Sequence, residues 1–260
     1  MELKDFSHLY EYRPNYMHYI KDEYDIGILA SGQKISDIYY ILNMGKINLE
    51  IYVNDEYIEE NKEDENMYKF MKSTNLFNAL SYYNYALDYS WQVVYFYASN
   101  NNTLDLIYDN LYEKFSKYCN KSEINEILNF SKSLAEKDKK NNIDFLIKHI
   151  DSFLSNENTE YIRKMYNYLK HRGMIYTSEL YNDSNHLPIS VEGQKLKKLY
   201  TRYIDPDNLF KKLCQYHNAF INYIDVIINK IIPEGYTEKK SANFNEIVKF
   251  VNSHQNSMKK

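Results

Sequence analysis

Two of the four arginines in this chain lie in one short segment, Arg163 to Gly173, which reads RKMYNYLKHRG. The other basic residues are almost all lysines, because only four of the 32 Lys and Arg residues are arginine. A guanidinium group binds phosphate or carboxylate through a planar fork of donors. The same segment carries His171, and histidine exchanges protons near neutral pH. The segment therefore predicts a site for an anionic group.

Arg163, Asn167 and His171 are spaced four residues apart. On a helix this spacing places them on a polar diagonal along one face. A histidine acting as acid or base, an arginine steadying phosphate charge and an amide orienting either of them are suited to cleaving RNA. No metal is needed if the ribose 2′-hydroxyl attacks, and one such histidine accelerates the reaction by about 10² to 10⁴-fold.

The same residues also fit a purely structural interpretation. Lys170, His171 and Arg172 are followed by Gly173, which is typical of a helix carboxyl terminus with cations near the negative end of the helix dipole. Both interpretations remain open at this stage.

Charge is distributed unevenly along the chain. The net charge is −4, yet residues 163–212 contain ten basic and five acidic residues. A basic stretch in an acidic protein indicates an anionic partner such as RNA. Besides Arg163 and Arg172, the residues expected to contact RNA are Lys170, Lys197, Lys198 and Arg202.

Several classes of site are excluded by the motifs that the sequence lacks. It has no glycine-rich phosphate loop, no G-x-S-x-G motif and no metal-ligand spacing. We therefore expect neither a cofactor nor a metal. Among the other histidines, His149 is expected to be structural, whereas His186 and His217 are separated from His171 by loops and could approach it.

Cys119 and Cys214 lie far apart and are expected to be free thiols. With no signal peptide and no apolar run of about 18 residues, the sequence predicts a cytoplasmic protein without a membrane span. The 29 tyrosines are interpreted mainly as core or half-buried positions, although tyrosine can also stack on bases.

The elements that must position the segment are mostly helical, since the chain has only six glycines and four prolines. The expected fold is a predominantly all-α helical bundle with a small β elaboration. Residues 1–64 would form an N-terminal helical and short-strand elaboration, and residues 65–260 the bundle. Strand is expected at 46–54 and within 174–191. Helices are expected at 31–44, 65–99, 103–118, 122–136, 142–154, 158–172, 191–203, 207–232 and 243–253.

The run YNYLKHRG at residues 166–173 resembles the signature of the HEPN superfamily, in particular bacterial members whose motif reads Arg-Asn-x-x-Lys-His-Arg-Gly. The match covers Asn167, Lys170, His171, Arg172 and Gly173, but Tyr166 stands where the family has its arginine. The resemblance implies a helical bundle that commonly dimerises with two motifs facing each other. It also implies metal-independent ribonuclease activity, often in toxins or anti-phage factors.

Two hypotheses follow from this resemblance. In the first, the protein cleaves RNA as a homodimer, with His171 as acid or base, Asn167 orienting, and Arg163 or Arg172 replacing the missing arginine. In the second, it has lost catalysis and acts as a binding or dimerisation module, with an antitoxin or a defence-complex protein as partner.

Overall fold

The computed structural model describes most of the chain, with gaps. The described residues are 2–21, 23–54, 64–98, 125–126, 128–130, 132, 137–178, 190–195 and 202–257.

Helices dominate the described chain and confirm the all-α expectation. The helices expected from 65, 142, 158, 207 and 243 onward are all present, with ends shifted by a few residues. The helical elements are a 3-10 helix at Ser7–Tyr12, α1 (Tyr16–Lys21), α2 (Ile26–Val53), α3 (Glu65–Ala98), α4 (Lys137–Leu154), α5 (Glu157–His171), α6 (Pro206–Ile231) and α7 (Phe244–Ser257).

A single helix, α2, replaces the expected helix 31–44 and strand 46–54, so that prediction was wrong. Gly45 does not end the helix. Instead it admits the ring of Tyr83, since a Cβ at position 45 would lie 3.3 Å from the Tyr83 Cζ atom. Leu42, Leu49 and Tyr52 are buried at helical spacing, whereas Val53 is 59% exposed. Burial in this segment therefore follows the spacing of a helix and not the alternation of apolar residues that suggested a strand.

Four short strands form two two-stranded sheets within the described residues. A strand is present within 174–191, as expected. The helix expected at 191–203 was wrong at residues 191–195 and 202–203, which are the part of that range that the structure describes. Glu192 and Gly193 have positive φ values of 54° and 75°, as a two-residue hairpin turn requires. The strands are β1 (Ile175–Thr177), β2 (Ser190–Val191), β3 (Gln194–Lys195) and β4 (Arg202–Ile204), with β1 parallel to β4 and β2 antiparallel to β3.

Contacts between residues divide the chain into two compact units. Unit 1 comprises Met1–Lys4, Ile41–Ala86 and Ser152–Ile221. Unit 2 comprises Asp5–Tyr40, Leu87–Asp151 and Asn222–Lys260. The boundary expected between residues 64 and 65 stays a prediction.

Aromatic side chains form much of the core of unit 1. Tyr83 and Tyr216 are fully buried and meet edge to face with ring centroids 5.8 Å apart. Tyr52 stacks on Phe210 and donates a 2.8 Å hydrogen bond to Asp207 Oδ1. These contacts pack α2 and α3 against the first half of α6.

Unit 2 contains two histidines that are held by backbone carbonyls. His149 Nε2 donates to Tyr223 O at 3.0 Å, and its ring lies stacked on that of Phe145. His18 accepts from Asn15 N–H through Nδ1 and donates to Tyr236 O through Nε2. Both rings are therefore built into the packing of this unit, as expected for His149.

Some expectations fall outside the described residues. They concern the helix at 103–118, most of the helix at 122–136, and Cys119. Cys214 is a buried free thiol. No helix in the described part of the chain is long and apolar enough to cross a membrane.

Candidate functional site

The start of α5 is fixed by ordinary capping chemistry. Asn156 is the N-cap, and its side chain accepts hydrogen bonds from the backbone N–H groups of Asn158 and Thr159 at 3.0 and 3.4 Å. Glu157 and Glu160 lie in the first turn, where negative charge is favourable. The helix is therefore well defined from its first residue.

One face of α5 is buried and the opposite face is polar. Asn158 Nδ2 donates to Lys212 O at 2.9 Å and so joins the helix to α6. Spacing of three and four residues along the helix places the buried side chains on one stripe. They are Thr159, Ile162, Met165 and Tyr166.

The carboxyl end of α5 has the geometry of a helix cap. The helix ends at His171, and the backbone N–H groups of Arg172 and Gly173 both donate to Tyr168 O, at 2.9 and 3.3 Å. Gly173 has a φ of +142°, which glycine tolerates and L side chains rarely adopt. The end of α5 therefore has the geometry that the structural interpretation, a helix cap, predicts. A functional role of the same residues is compatible with this geometry.

Four motif residues in this last part of α5 have exposed side chains, and we call them the α5 cluster: Asn167, Lys170, His171 and Arg172. The Lys170 Nζ atom lies 5.9 Å from the centroid of the Tyr166 ring. Each of these four side chains is therefore accessible to solvent.

Arg163 does not belong to this exposed cluster, because its side chain is half-buried. It precedes His171 by eight residues, which is about 12 Å along a helix axis. Arg163, Asn167 and His171 therefore lie four residues apart on one helix, as expected from the sequence. Their side chains differ in exposure, because Arg163 is half-buried and the other two are exposed. Arg172, adjacent to His171 at the exposed end, is the nearer guanidinium along the chain.

Tyr166, at the family's arginine position, is part of the core. Its side chain is 8% exposed, and its ring meets that of Tyr85 edge to face with centroids 6.0 Å apart. Tyr166 is thus a packing residue and not a polar group that faces solvent.

Of the other residues considered in the sequence, only some lie in the described part of the chain. Lys197 and Lys198, like His186, lie outside the described residues, and only the backbone of Arg202 is described, at the start of β4. His217 is completely buried on α6.

His217 has a partner for each ring nitrogen. Its Nε2 donates to Lys4 O, and its Nδ1 accepts from the Tyr83 hydroxyl, both at 2.9 Å. Burial lowers the pKa of His217 below its ordinary value, and the charge of Lys46 acts in the same direction. His217 therefore holds α3, α6 and the N-terminal residues of unit 1 together as a neutral ring.

Two half-exposed tyrosines lie on the short strands β1 and β4. Tyr176 in β1 and Tyr203 in β4 are register partners, 37% and 40% exposed. Their neighbours Ile175, Thr177 and Ile204 are buried. The β-branched and aromatic residues at 175–177 favour a short strand, but the pairing with β4 spans 24 intervening residues and does not follow from this local pattern.

A groove of about 610 Å³ in unit 1 does not involve the α5 cluster. The residues that line it are Leu3, Lys46, Leu49, Glu50, Val53, Asn54, Phe210 and Cys214. Across the described part of the chain, no group of three His, Cys, Asp or Glu side chains is placed to hold a metal ion.

No protein-family model, curated protein or solved structure matches this chain. The features of this chain that bear on its function are therefore the α5 cluster, its surroundings and the short motif at residues 166–173.

Proposed function

We propose that this chain is a HEPN-like, RNA-acting protein of the cytoplasm that cleaves RNA without a metal, and that the α5 cluster is its active site. The observation that carries the proposal is the shared exposure of Asn167, Lys170, His171 and Arg172 at the end of one helix. They are the residues that the HEPN-like motif contains after its first position. A helix cap alone would need only the glycine and a nearby cation.

In the proposed reaction, the ribose 2′-oxygen attacks the adjacent phosphorus and the bond from phosphorus to the 5′-oxygen breaks. The His171 imidazole removes the 2′-hydroxyl proton, or its protonated form donates a proton to the leaving 5′-oxygen. The products are a 2′,3′-cyclic phosphate and a 5′-hydroxyl. Neither step requires a metal or a redox partner.

The neighbours of His171 have supporting roles in this proposal. Asn167 lies one turn earlier on the same face, where its amide can orient the imidazole or the phosphate. The Arg172 guanidinium neutralises charge on the phosphate as it develops. Arg172 is favoured over Arg163 for this role, because Arg163 is half-buried and about 12 Å away along the helix axis.

A second candidate function is a HEPN-like binding or dimerisation module without catalysis. The observation that favours it is the burial of Tyr166 against Tyr85, which leaves no arginine at the family position. In this case the protein would act through RNA binding, a homodimer, or a complex with an antitoxin or a defence protein.

The test is incubation of the natural protein with RNA in EDTA, followed by analysis of the product ends. Cleavage that leaves 2′,3′-cyclic phosphates is the expected result. Binding should weaken steeply with salt, and Arg172→Ala should weaken it more than Lys164→Ala. Lys164 is the matched control, because it is exposed on the same helix and pairs with Glu160 at 2.5 Å.

Two results would separate the candidates. Salt-dependent RNA binding without cleavage, together with a dimer in analytical ultracentrifugation, would favour the non-catalytic module. Absence of both RNA binding and cleavage would contradict the proposal. Replacing Tyr166 with arginine is a poor test of lost catalysis, because the new guanidinium would enter a buried position at a cost of several kcal/mol.

A further inference from the structure

A small cavity in unit 2 lies where α6 ends, and we call it the α6-end cavity. Its volume is about 250 Å³, just below the roughly 300 Å³ at which pockets for drug-sized molecules begin. Its lining includes Tyr12, Asn229, Pro233, Glu234, Tyr236 and Thr237. All of these residues belong to unit 2, whereas α5 belongs to unit 1. The inference below is therefore independent of the proposed function.

The last turn of α6 brings carbonyl oxygens to this cavity that the helix itself does not satisfy. Ile232 N–H donates to Ile228 O at 2.8 Å. The next carbonyl group, that of Asn229, would need the N–H of residue 233, which is a proline and has none. The carboxyl end of a helix carries a partial negative charge. This part of the lining therefore favours a positively charged ligand.

The aromatic wall of the cavity is fixed by packing. Tyr236 is 2% exposed, and its ring lies 4.5 Å from that of His18 and 6.2 Å from that of Tyr12, centroid to centroid. His18 Nε2 donates to Tyr236 O at 3.0 Å. The Tyr236 hydroxyl is buried close to Gly32 and has no hydrogen-bond partner among the described residues, which is uncommon for a buried polar group.

The charged residues around the cavity are mainly acidic. Among the described residues, Glu234 lines the cavity and no lysine or arginine does. Two lysines nearby in sequence have other partners. The Lys230 Nζ atom lies 5.0 Å from the centroid of the Phe145 ring, and Lys240 Nζ donates to the Glu23 carboxylate.

Two further carboxylates lie next to the lining. The Glu238 Oε2 atom is 3.4 Å from the position that a Cβ would take on Gly235, which is itself part of the lining. Burial raises the pKa of Tyr12, and the charge of Asp225 acts in the same direction. Asp225 Oδ1 also pairs with His8 Nε2 at 2.8 Å. The surroundings of the cavity therefore disfavour an anion.

We propose that the α6-end cavity binds the protonated amino group of a small aliphatic amine. An ammonium group has three N–H donors, and the lining offers the Glu234 carboxylate, the Asn229 carbonyl oxygen and the Thr237 hydroxyl as acceptors. Tyrosine rings also attract organic cations. A metal ion is a poorer match, because no group of three His, Cys, Asp or Glu side chains is placed to hold one in the described residues.

The experiment measures binding of 1,4-diaminobutane to the natural protein by calorimetry at low salt. The matched control ligand is 1,4-butanediol, which has the same length and forms hydrogen bonds but carries no charge. We expect the diamine to bind and the diol not to bind at the same concentration. Sodium chloride should weaken the binding of the diamine, because salt screens the attraction between the ammonium group and the carboxylates.

Substitutions test the acidic residues. Glu234→Gln/Glu238→Gln removes both charges and keeps the size of the side chains. It should weaken diamine binding about fivefold or more, since an exposed ion pair alone is worth up to about fivefold. The control Glu157→Gln removes an exposed acid of unit 1 and should bind as the natural protein does.

A second measurement uses the natural protein only and does not depend on how the variants fold. The isoleucine methyl groups are labelled for NMR, and 1,4-diaminobutane is added stepwise. Saturable shifts are expected for Ile228 and Ile232, which line the cavity.

The outcomes are independent of RNA cleavage. Equal binding of diamine and diol, unchanged affinity in Glu234→Gln/Glu238→Gln, or NMR shifts confined to other isoleucines would each overturn the proposal. Absence of diamine binding would overturn it as well. None of these results bears on the α5 cluster, and a protein that cleaves no RNA would leave this proposal standing.

Discussion

His171 and His217 belong to the same compact unit, but their surroundings are opposite. His171 is exposed at the last residue of α5. His217 is completely buried in α6, with the Tyr83 hydroxyl on one ring nitrogen and Lys4 O on the other. The first ring is open to solvent, whereas the second is held neutral between fixed partners.

This difference shows why residue type alone does not identify a site. Both rings lie on helices, and the sequence left open that His217 approaches His171. Burial makes the charged form of His217 unfavourable and occupies its nitrogens, so that its contribution is to stability. The proposed acid–base role of His171 requires the exposure that His217 lacks.

The largest expected effect comes from removing the buried ring. His217→Ala should lower the free energy of unfolding by about 2 to 4 kcal/mol, because it leaves the Tyr83 hydroxyl without its partner and opens a cavity. The matched control, His171→Ala, should change it by no more than about 0.5 kcal/mol. Chemical denaturation of the two variants would measure both values. Equal effects would contradict the division of roles.

A smaller effect is expected at the end of α5. Gly173→Ala places a side chain at a φ of +142°, which costs about 1 to 3 kcal/mol of backbone strain. Apart from its chain neighbours, no described residue has an atom within 4 Å of the added Cβ, so the cost is one of backbone strain. Thermal or chemical denaturation would give the cost. An unchanged stability would show that the cap geometry at this position is not required.

The pH dependence of stability sharpens the comparison further. Burial lowers the pKa of His217 in the folded protein below 6.5, the ordinary value for histidine. At a pH below 6.5 the unfolded state therefore binds more protons than the folded state. The contribution of His217 to stability is therefore present above that value and is lost as the pH falls.

The loss should reach at most about 1.4 kcal/mol for each pH unit. His217→Gln should remove this component, so the stability difference between the natural protein and the variant should shrink between about pH 7 and pH 5. Denaturation curves over this range provide the measurement. A difference that stays constant would mean that His217 does not titrate as proposed.

Much of the fold follows from sequence, because long segments without glycine or proline mark α3, α5 and α6. Two of the errors occurred at glycines, one with a tertiary role and one with a local role. Gly45 looks like a helix end but makes room for the Tyr83 ring within α2. Gly193 sits with Glu192 in a hairpin turn inside a segment that reads as helical. A single sequence does not reveal which of these roles a glycine has.

The candidate site was predictable in part. The basic carboxyl end of α5 and its terminal glycine follow from local rules of helix capping. The burial of Tyr166 and the half-burial of Arg163 depend on the neighbours of α5, Tyr85 among them. The pairing of Tyr176 with Tyr203 depends on a parallel contact between distant strands.

The most direct test of the account is the rate of RNA cleavage in EDTA by the natural protein and by His171→Ala, with melting temperatures measured on the same samples. The account predicts that His171→Ala cleaves about 10² to 10⁴-fold more slowly, while its melting temperature stays close to that of the natural protein. Cleavage at an unchanged rate would contradict the assignment of His171. If neither protein cleaves RNA and the variant melts at a clearly lower temperature, the end of α5 is only a helix cap.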